Sequence, residues 1–220
     1  ASAVAAKLTL KQWPDAEIVH CDTLADEHPD NLRFFKEVEK WLGKPIQQIR
    51  SEKYVTCDEV FEKTRYMAGP SGARCTTELK KAPRIAYQWQ EDIHTFGFTS
   101  DEAKRIKDFE YNNPDVITFW ILKDLGITKQ DCYRIISEAG IDLPEMYKLG
   151  YRNNNCRGCV KSTSPGYWNK IRVDFPDMFE IRAKRSRALG VKLIEYKGER
   201  IFLDELPAGV GKYKGEDLSC

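Results

Sequence analysis

The sequence NNNCRGCVK at residues 153–161 is the stretch around which the rest of the chain is organised. Cys156 and Cys159 are separated by two residues, a spacing that lets both sulfurs bind one metal ion or cluster. Gly158 lets the backbone turn around a bound group, and loop N–H groups can donate hydrogen bonds to sulfur. The stretch is therefore interpreted as a metal-binding loop, with a redox dithiol or two unligated cysteines as the alternatives.

A third cysteine lies in the sequence GARCTTELKKAP at residues 72–83. Cys75 follows a glycine-containing loop and stands beside Arg74 and near Lys80, so we expect positive charge to stabilise its thiolate. The three histidines show no ligand spacing. Three cysteines then fit an iron–sulfur cluster with one uncommitted iron at least as well as they fit a zinc site.

Size and composition limit the classes of protein that are possible. The chain has 220 residues, enough for a substantial core, so a metal is not needed merely for folding. A net charge of +1 gives no overall field that would hold a nucleic acid, which leaves that partner possible but not favoured. No apolar run reaches the length of a membrane span and no signal peptide opens the chain, so we expect no membrane association. Seven cysteines without a secretory context indicate a reducing compartment and a cytoplasmic protein.

The order of predicted elements favours an α/β fold with a parallel sheet, flanking helices and right-handed crossovers. The predicted strands cover residues 16–21, 45–49 and 92–98. The predicted helices cover residues 2–13 with Ser2 as N-cap, then 26–43, 56–67, 74–90, 114–140 and 167–189 with an interruption at Pro176. A further helix is predicted to begin at residues 99–102. A helical insertion and a C-terminal β-hairpin over residues 191–206 complete the prediction. We expect a nucleotide-binding core in residues 1–112, and a helical and Cys-x-x-Cys region with hairpin and tail in residues 113–220.

Carboxylates follow two of the predicted strands, at Asp22-Thr23 and Asp101-Glu102. In a parallel sheet this position can bind ribose, adenine or Mg²⁺, although a strand-end aspartate is often only a helix cap. Nearby basic residues are candidate phosphate ligands: Lys80, Lys81, Arg84, Lys104, Arg105 and Lys161.

The remaining four cysteines have no ligand spacing. Cys21, Cys57 and Cys132 fall within apolar patterns and are predicted to be buried. Cys220 is the last residue, where a thiol could move between sites or have no role.

The motifs together resemble the phosphoadenosine phosphosulfate reductase family, within the PP-loop adenine-nucleotide alpha hydrolases, over nearly the whole chain. The resemblance is to short, divergent phage-type members, and it is carried by CRGCVK at residues 156–161 followed by YWNKIR at residues 167–172. It implies a Rossmann-like fold, an adenine nucleotide, a [4Fe-4S] cluster and a thioredoxin-like thiol donor.

Individual positions match the family's motifs only in part. Ser2 looks like the last serine of the phosphate loop, whose first strand and glycines we expect upstream. Asp22 and Thr23 resemble the nucleotide-lining segment, with Leu24 in place of the usual glycine. The family's Cys-Cys-x-x-x-Lys motif reads here as Cys75 to Lys80, with Thr76 in place of the second cysteine.

The resemblance therefore implies three cluster ligands, Cys75, Cys156 and Cys159, with the fourth missing or supplied by something else. Cys220 is the loose counterpart of the family's catalytic cysteine. It further implies nucleotide contacts from Ser2, Asp22, Thr23, Lys80, Asp101, Glu102 and Arg105.

One departure concerns the substrate. The basic pair that grips phosphosulfate in the family is replaced here by Thr99-Ser100 before Asp101-Glu102, which removes charge-assisted binding.

Three hypotheses follow. The first is a sulfonucleotide reductase-like enzyme with a thiolate nucleophile. The second is an ATP-dependent sulfurtransferase, acting on a nucleic acid or small molecule, whose three-cysteine cluster carries sulfide on its open iron. The third is a non-catalytic protein in which the metal holds the loops together.

Overall fold

A computed structural model of the chain describes residues 1–70, 72–215 and 218. Helices and short strands alternate in these residues, so the α/β class predicted from the sequence is confirmed. The helices are α1 (Ser2–Gln12), α2 (Asp30–Leu42), α3 (Cys57–Thr64), α4 (Arg74–Thr76), α5 (Ala82–Tyr87), α6 (Ala103–Asn112), α7 (Ile121–Asp124), α8 (Lys129–Glu138), α9 (Glu145–Lys148), α10 (Pro165–Asp174) and α11 (Pro176–Leu189). The strands are β1 (Ile18–Cys21), β2 (Ile46–Ile49), β3 (Ala68–Gly69), β4 (Gly72–Ala73), β5 (Ile93–Thr95), β6 (Ile117–Phe119), β7 (Ile194–Tyr196) and β8 (Glu199–Ile201).

The chain forms two compact units that are each discontinuous in sequence. The first unit contains Ala1–His20, Leu32–Gln48 and Ala86–Leu143. The second contains Cys21–Asn31, Ile49–Ile85 and Pro144–Cys220. Within these ranges the structure describes residues 21–31, 49–70, 72–85, 144–215 and 218. The division at residues 112 and 113 expected from the sequence stays a prediction.

The first unit contains the parallel pair of strands β5 and β6, in which Ile93 lies opposite Ile117. Strand β6 corrects the prediction that residues 114–140 are wholly helical. Its residues Ile117 and Thr118 are β-branched, which suits a pleated surface better than a helix, and β5 offers them a partner. The core of this unit joins α1, α7 and α8 through Val4, Ala5, Ile121, Leu122, Cys132 and Ile136.

The start of α1 also differs from the prediction. Ala1 occupies the N-cap position and Ser2 is the first helical residue, with no side-chain capping hydrogen bond. The Ser2 backbone lies so close to Gly97 that a Cβ on Gly97 would stand 2.5 Å from the Ser2 Cα atom. Gly97 therefore lies in close contact with the start of α1, and the expected serine cap is absent.

The second unit is built on α10 and α11, which pack against each other. Pro176 occupies the first turn of α11, where its missing N–H costs no hydrogen bond, so the predicted interruption at this residue is confirmed. The predicted C-terminal hairpin is also confirmed, with Ile194 opposite Ile201. Lys197 and Gly198 both have positive φ, the conformation that a two-residue hairpin turn requires.

Helix starts were predictable where a capping box is present. Thr56 accepts a hydrogen bond from the Glu59 N–H while the Glu59 carboxylate accepts one from the Thr56 N–H. Thr128 and Asp131 form the same arrangement at α8. Within the described residues, every helix is too short or too polar to cross a bilayer.

Candidate metal–sulfur centre

Three cysteines from separate segments meet in the second unit. The Cys57 thiol forms hydrogen bonds with the thiols of Cys156 and Cys75. These two contacts, followed by burial, raise the pKa of the Cys57 thiol far above its ordinary value. The Cys57 thiol is therefore protonated, and a metal that binds its sulfur would displace the proton.

Helix α3 determines where Cys57 lies. Cys57 is the first residue of the helix, directly after the capping residue Thr56, and only 3% of it is exposed. Helix α4, which carries Cys75, packs against α3. A three-residue helix has little stability of its own, so this packing and the continuing helical turns Thr77–Lys81 and α5 keep Cys75 in place.

The Cys-x-x-Cys loop is shaped by Gly158. Its φ is +68°, and a Cβ at this position would lie 3.2 Å from Met178 Cγ and 3.4 Å from Trp168 Cζ3. The loop therefore requires glycine for both its conformation and its packing. Next to it, the Cys159 N–H donates a 2.6 Å hydrogen bond to the Tyr167 hydroxyl. Burial, more than any other cause, raises the pKa of that hydroxyl well above its ordinary value.

Asp26 connects the loop to α3. Its carboxylate accepts a 2.8 Å hydrogen bond from the Cys57 N–H, and its backbone carbonyl accepts one of 3.0 Å from the Arg157 N–H. Asp26 is almost fully buried, and burial raises the pKa of its carboxyl above the ordinary value. One residue therefore holds the backbone on both sides of the thiol cluster.

Arg182 on α11 supplies the positive charge that balances the carboxylates of Asp58 and Asp26. Its guanidinium lies 2.7 Å from the Asp58 carboxylate and 3.6 Å from that of Asp26, and its Nε donates a 3.3 Å hydrogen bond to the Gly158 carbonyl. Only 1% of the side chain is exposed. Burial acts to lower the pKa of Arg182, but the nearby carboxylates of Asp58 and Asp26 raise it overall, so the side chain stays charged.

A small cavity opens beside Cys156. It is lined by Asn153, Asn155, Tyr213 and Leu218 together with the cysteine. The Asn155 side-chain amide donates a hydrogen bond to the Leu218 carbonyl, so this part of the C-terminal segment lies on the Cys-x-x-Cys loop. Cys220, the expected nucleophile, lies outside the described residues.

Cysteine thiolates are the donors that iron–sulfur clusters use, and they also bind zinc. None of the six cysteines that the structure describes forms a disulfide. In the described ranges, no three His, Cys, Asp or Glu side chains converge as ligands of one metal ion. The thiols instead contact each other in pairs, and ligation would replace these contacts.

Three of the expected nucleotide contacts lie in the second unit, where each has a protein partner. The Asp22 carboxylate accepts from the Leu24 N–H and pairs with Arg50 at 2.7 Å. The buried Thr23 hydroxyl donates to Glu27 at 2.7 Å. Lys80 accepts a hydrogen bond from the Cys21 thiol through its backbone carbonyl.

The charges expected around Cys75 have other neighbours. Arg74 pairs with Glu78 at 2.7 Å. Burial raises the pKa of the Cys21 thiol, while the nearby charges of Lys80 and Arg84 act to lower it. The expected stabilisation of the Cys75 thiolate stays a prediction.

The other expected contacts lie in the first unit, at the start of α6 and of α1. Glu102 accepts hydrogen bonds from the Thr99 N–H and hydroxyl, both at 2.9 Å, and pairs with Arg105 at 2.7 Å. Burial acts to raise the pKa of Glu102, but these hydrogen bonds lower it overall. A hydrogen bond from Thr99 also lowers the pKa of Asp101. Glu102 holds the N-cap position of α6 without a side-chain capping hydrogen bond, so its carboxylate contacts Thr99 and not the N–H groups of the helix. Ser2 lies at the start of α1.

Sequence reasoning missed the parts played by Cys57, Asp26 and Arg182. Burial was predicted for Cys57, and its contact with two other thiols was not, because it has no ligand spacing to either. Arg182 does leave a signal, since Phe179, Ala183 and Ser186 share its buried face at helical spacing. Comparisons of the chain with family models, with curated proteins and with solved structures find no match, so the family resemblance stays an expectation.

Proposed function

We propose that this protein is an iron–sulfur enzyme of the sulfonucleotide reductase type. The observation that supports the proposal best is the meeting of Cys75 and Cys156 at one buried thiol cluster, beside the Tyr167 contact of Cys159. Buried thiols without a disulfide in an apolar core are the donors that iron–sulfur clusters use. Free thiols also suit a reducing compartment, which we propose to be the cytoplasm.

A bound cluster would supply electrostatic polarisation next to the sulfate group of the substrate. The other roles belong to the chain's own residues. Asp22, Thr23 and Lys80 would contribute contacts to the nucleotide, since all three lie in the second unit, which also holds the thiol cluster. Tyr167 and Gly158 hold the Cys-x-x-Cys backbone in its turn.

The reaction would begin with the thiolate of Cys220. Attack on the sulfur of adenylyl sulfate, or of its 3′-phosphorylated form, makes an S–S bond and breaks the S–O bond, and the nucleotide leaves with the electron pair. A dithiol of the thioredoxin class then attacks the Cys220 sulfur and releases sulfite, and its second thiol resolves the mixed disulfide. Leu218, two positions before Cys220, lines the cavity beside Cys156, which supports this assignment.

A second candidate is an ATP-dependent sulfurtransferase. It is favoured by the burial and hydrogen bonding of Thr99, which replaces one of the family's basic residues. Thr99 is fully buried and its hydroxyl donates to Glu102, so it supplies no charge and no free donor to a phosphosulfate group. Such an enzyme would release pyrophosphate from ATP.

The experiment uses the full chain, purified anaerobically and loaded with iron and sulfide. Release of sulfite and adenosine monophosphate from adenylyl sulfate with reduced thioredoxin is expected, and the Cys156→Ser variant should lose it. Cys132→Ser is the matched control, because Cys132 is also buried but lies in the first unit. In a parallel assay with ATP, release of pyrophosphate by a protein that releases no sulfite from adenylyl sulfate would favour the sulfurtransferase. A loaded protein with neither activity would contradict both enzymes and leave the non-catalytic role.

A further inference from the structure

Cys57 stands at the middle of the thiol cluster. It contacts Cys156 from the Cys-x-x-Cys loop and Cys75 from α4, so its sulfur connects the two segments that the sequence motifs identify. Cys57, Cys156 and Cys159 belong to one apolar core, and Cys75 packs against it. A fourth cysteine is therefore present where only three were expected as ligands.

The position of Cys57 is fixed by more than its thiol contacts. Asp26 hydrogen-bonds the Cys57 N–H and the Arg157 N–H, so the backbones at Cys57 and at the loop share one support. Arg182 bridges Asp58, the residue after Cys57, to the carbonyl of Gly158. These hydrogen bonds and ion pairs keep Cys57 against the loop whether or not the thiols touch.

The other candidates for a fourth ligand fit less well. Thr76, next to Cys75, has no sulfur, and its buried hydroxyl has no hydrogen-bond partner in the described residues. The Cys21 thiol donates to the Lys80 carbonyl at 3.4 Å. Cys132 lies in the first unit, where it contacts the N-terminal amine of Ala1.

We infer that Cys57 is the fourth cysteine ligand of the centre, an assignment that rests on the proposed iron–sulfur function. With Cys57, Cys75, Cys156 and Cys159, each iron of a [4Fe-4S] cluster would have its own protein thiolate. No iron would then be open to carry a sulfide or a substrate atom. The assignment therefore favours a cluster with an electrostatic or structural part over the open-iron chemistry of the sulfurtransferase.

The test compares anaerobically reconstituted full-length protein with its Cys57→Ser and Cys132→Ser variants. Iron and acid-labile sulfide are measured per chain, together with Mössbauer and electron paramagnetic resonance spectra. The Cys57→Ser variant should lose about one iron of four or the whole cluster, and any remaining cluster should give the spectrum of a three-iron or differently ligated centre. Cys132→Ser should match the wild-type protein.

A Cys57→Ser variant with wild-type iron, sulfide and spectra would overturn the ligand assignment alone. If that variant does not fold, cyanide is added to the wild-type protein as a ligand for any open iron. The Mössbauer spectrum should stay unchanged, and an iron site whose signal shifts would overturn the assignment. A wild-type protein that holds no iron would instead contradict the proposed function, so the two failures are distinguishable.

Discussion

The carboxylate of Asp26 accepts a 2.8 Å hydrogen bond from the backbone N–H of Cys57. The same carboxylate lies 3.6 Å from the buried guanidinium of Arg182, and the Asp26 carbonyl accepts from the Arg157 N–H. The start of α3 and the Cys-x-x-Cys loop thus depend on one aspartate that carries no motif of its own.

Replacing Asp26 with alanine should lower the free energy of unfolding by about 3 kcal/mol, because it leaves the buried Cys57 N–H without an acceptor and removes one partner of a buried ion pair. Urea unfolding checks this change. Asp22→Ala is the control, since Asp22 pairs with Arg50, whose side chain is 71% exposed, and surface pairs contribute about 0–1 kcal/mol. Equal effects of the two variants would contradict the role given to Asp26.

Arg182→Met should destabilise the protein by about 3–5 kcal/mol, since it removes the counter-charge of Asp26 and Asp58 while keeping most of the buried volume. Lys184→Met on the same helix is the control, because the Lys184 side chain is 83% exposed and should contribute within about 0.5 kcal/mol. Thermal unfolding of both variants checks the difference. An Arg182→Met protein as stable as Lys184→Met would show that the buried charge is dispensable.

Gly158→Ala should reduce both stability and metal content. Alanine at a φ of +68° costs about 1 kcal/mol, and its Cβ would press on Met178 and Trp168, which we expect to bring the loss to about 2 kcal/mol. Gly43→Ala separates the two causes, because Gly43 has a φ of +72° but no atom within 4 Å of the added Cβ. If both variants lose the same stability and keep their metal, the packing around Gly158 is not important.

Glu102 should make the stability of the protein depend on pH. Its folded pKa is lowered, so its stabilising effect is complete above the unfolded value of about 4.3 and is lost as the pH falls through the folded pKa. The difference in unfolding free energy between wild type and Glu102→Gln should therefore be largest near neutral pH and shrink below about pH 4. Glu138→Gln is the control, because Glu138 forms an exposed ion pair with Arg134. Its unfolding free energy should differ little from that of the wild type. A wild-type to Glu102→Gln difference that grows with acidity would contradict the assignment.

Local signals in the sequence predicted much of the fold. The capping boxes at Thr56 and Thr128 form within four residues, and Pro176 acts on its own turn, so neighbouring residues are sufficient to predict them. Strand β6 was missed because it is only three residues long and becomes a strand by pairing with β5, a contact that adjacent residues do not encode.

The candidate site was predictable only where ligand spacing is visible. The Cys156-x-x-Cys159 pair and Cys75 have motif neighbours, whereas Cys57 reaches them through the packing of α3 against α4 and the support of Asp26. For Glu102 and Asp101, the strand-end position alone did not predict the hydrogen bonds that both carboxylates form with Thr99.

The proposed iron–sulfur centre on the clustered cysteines can be tested by metal analysis. Iron, zinc and acid-labile sulfide are measured in the full-length protein, purified anaerobically without added metal. We expect a coloured protein with about four iron and four sulfide per chain, and a Cys156→Ser variant with far less of both. A colourless wild-type protein that contains zinc, or no metal at all, would contradict it.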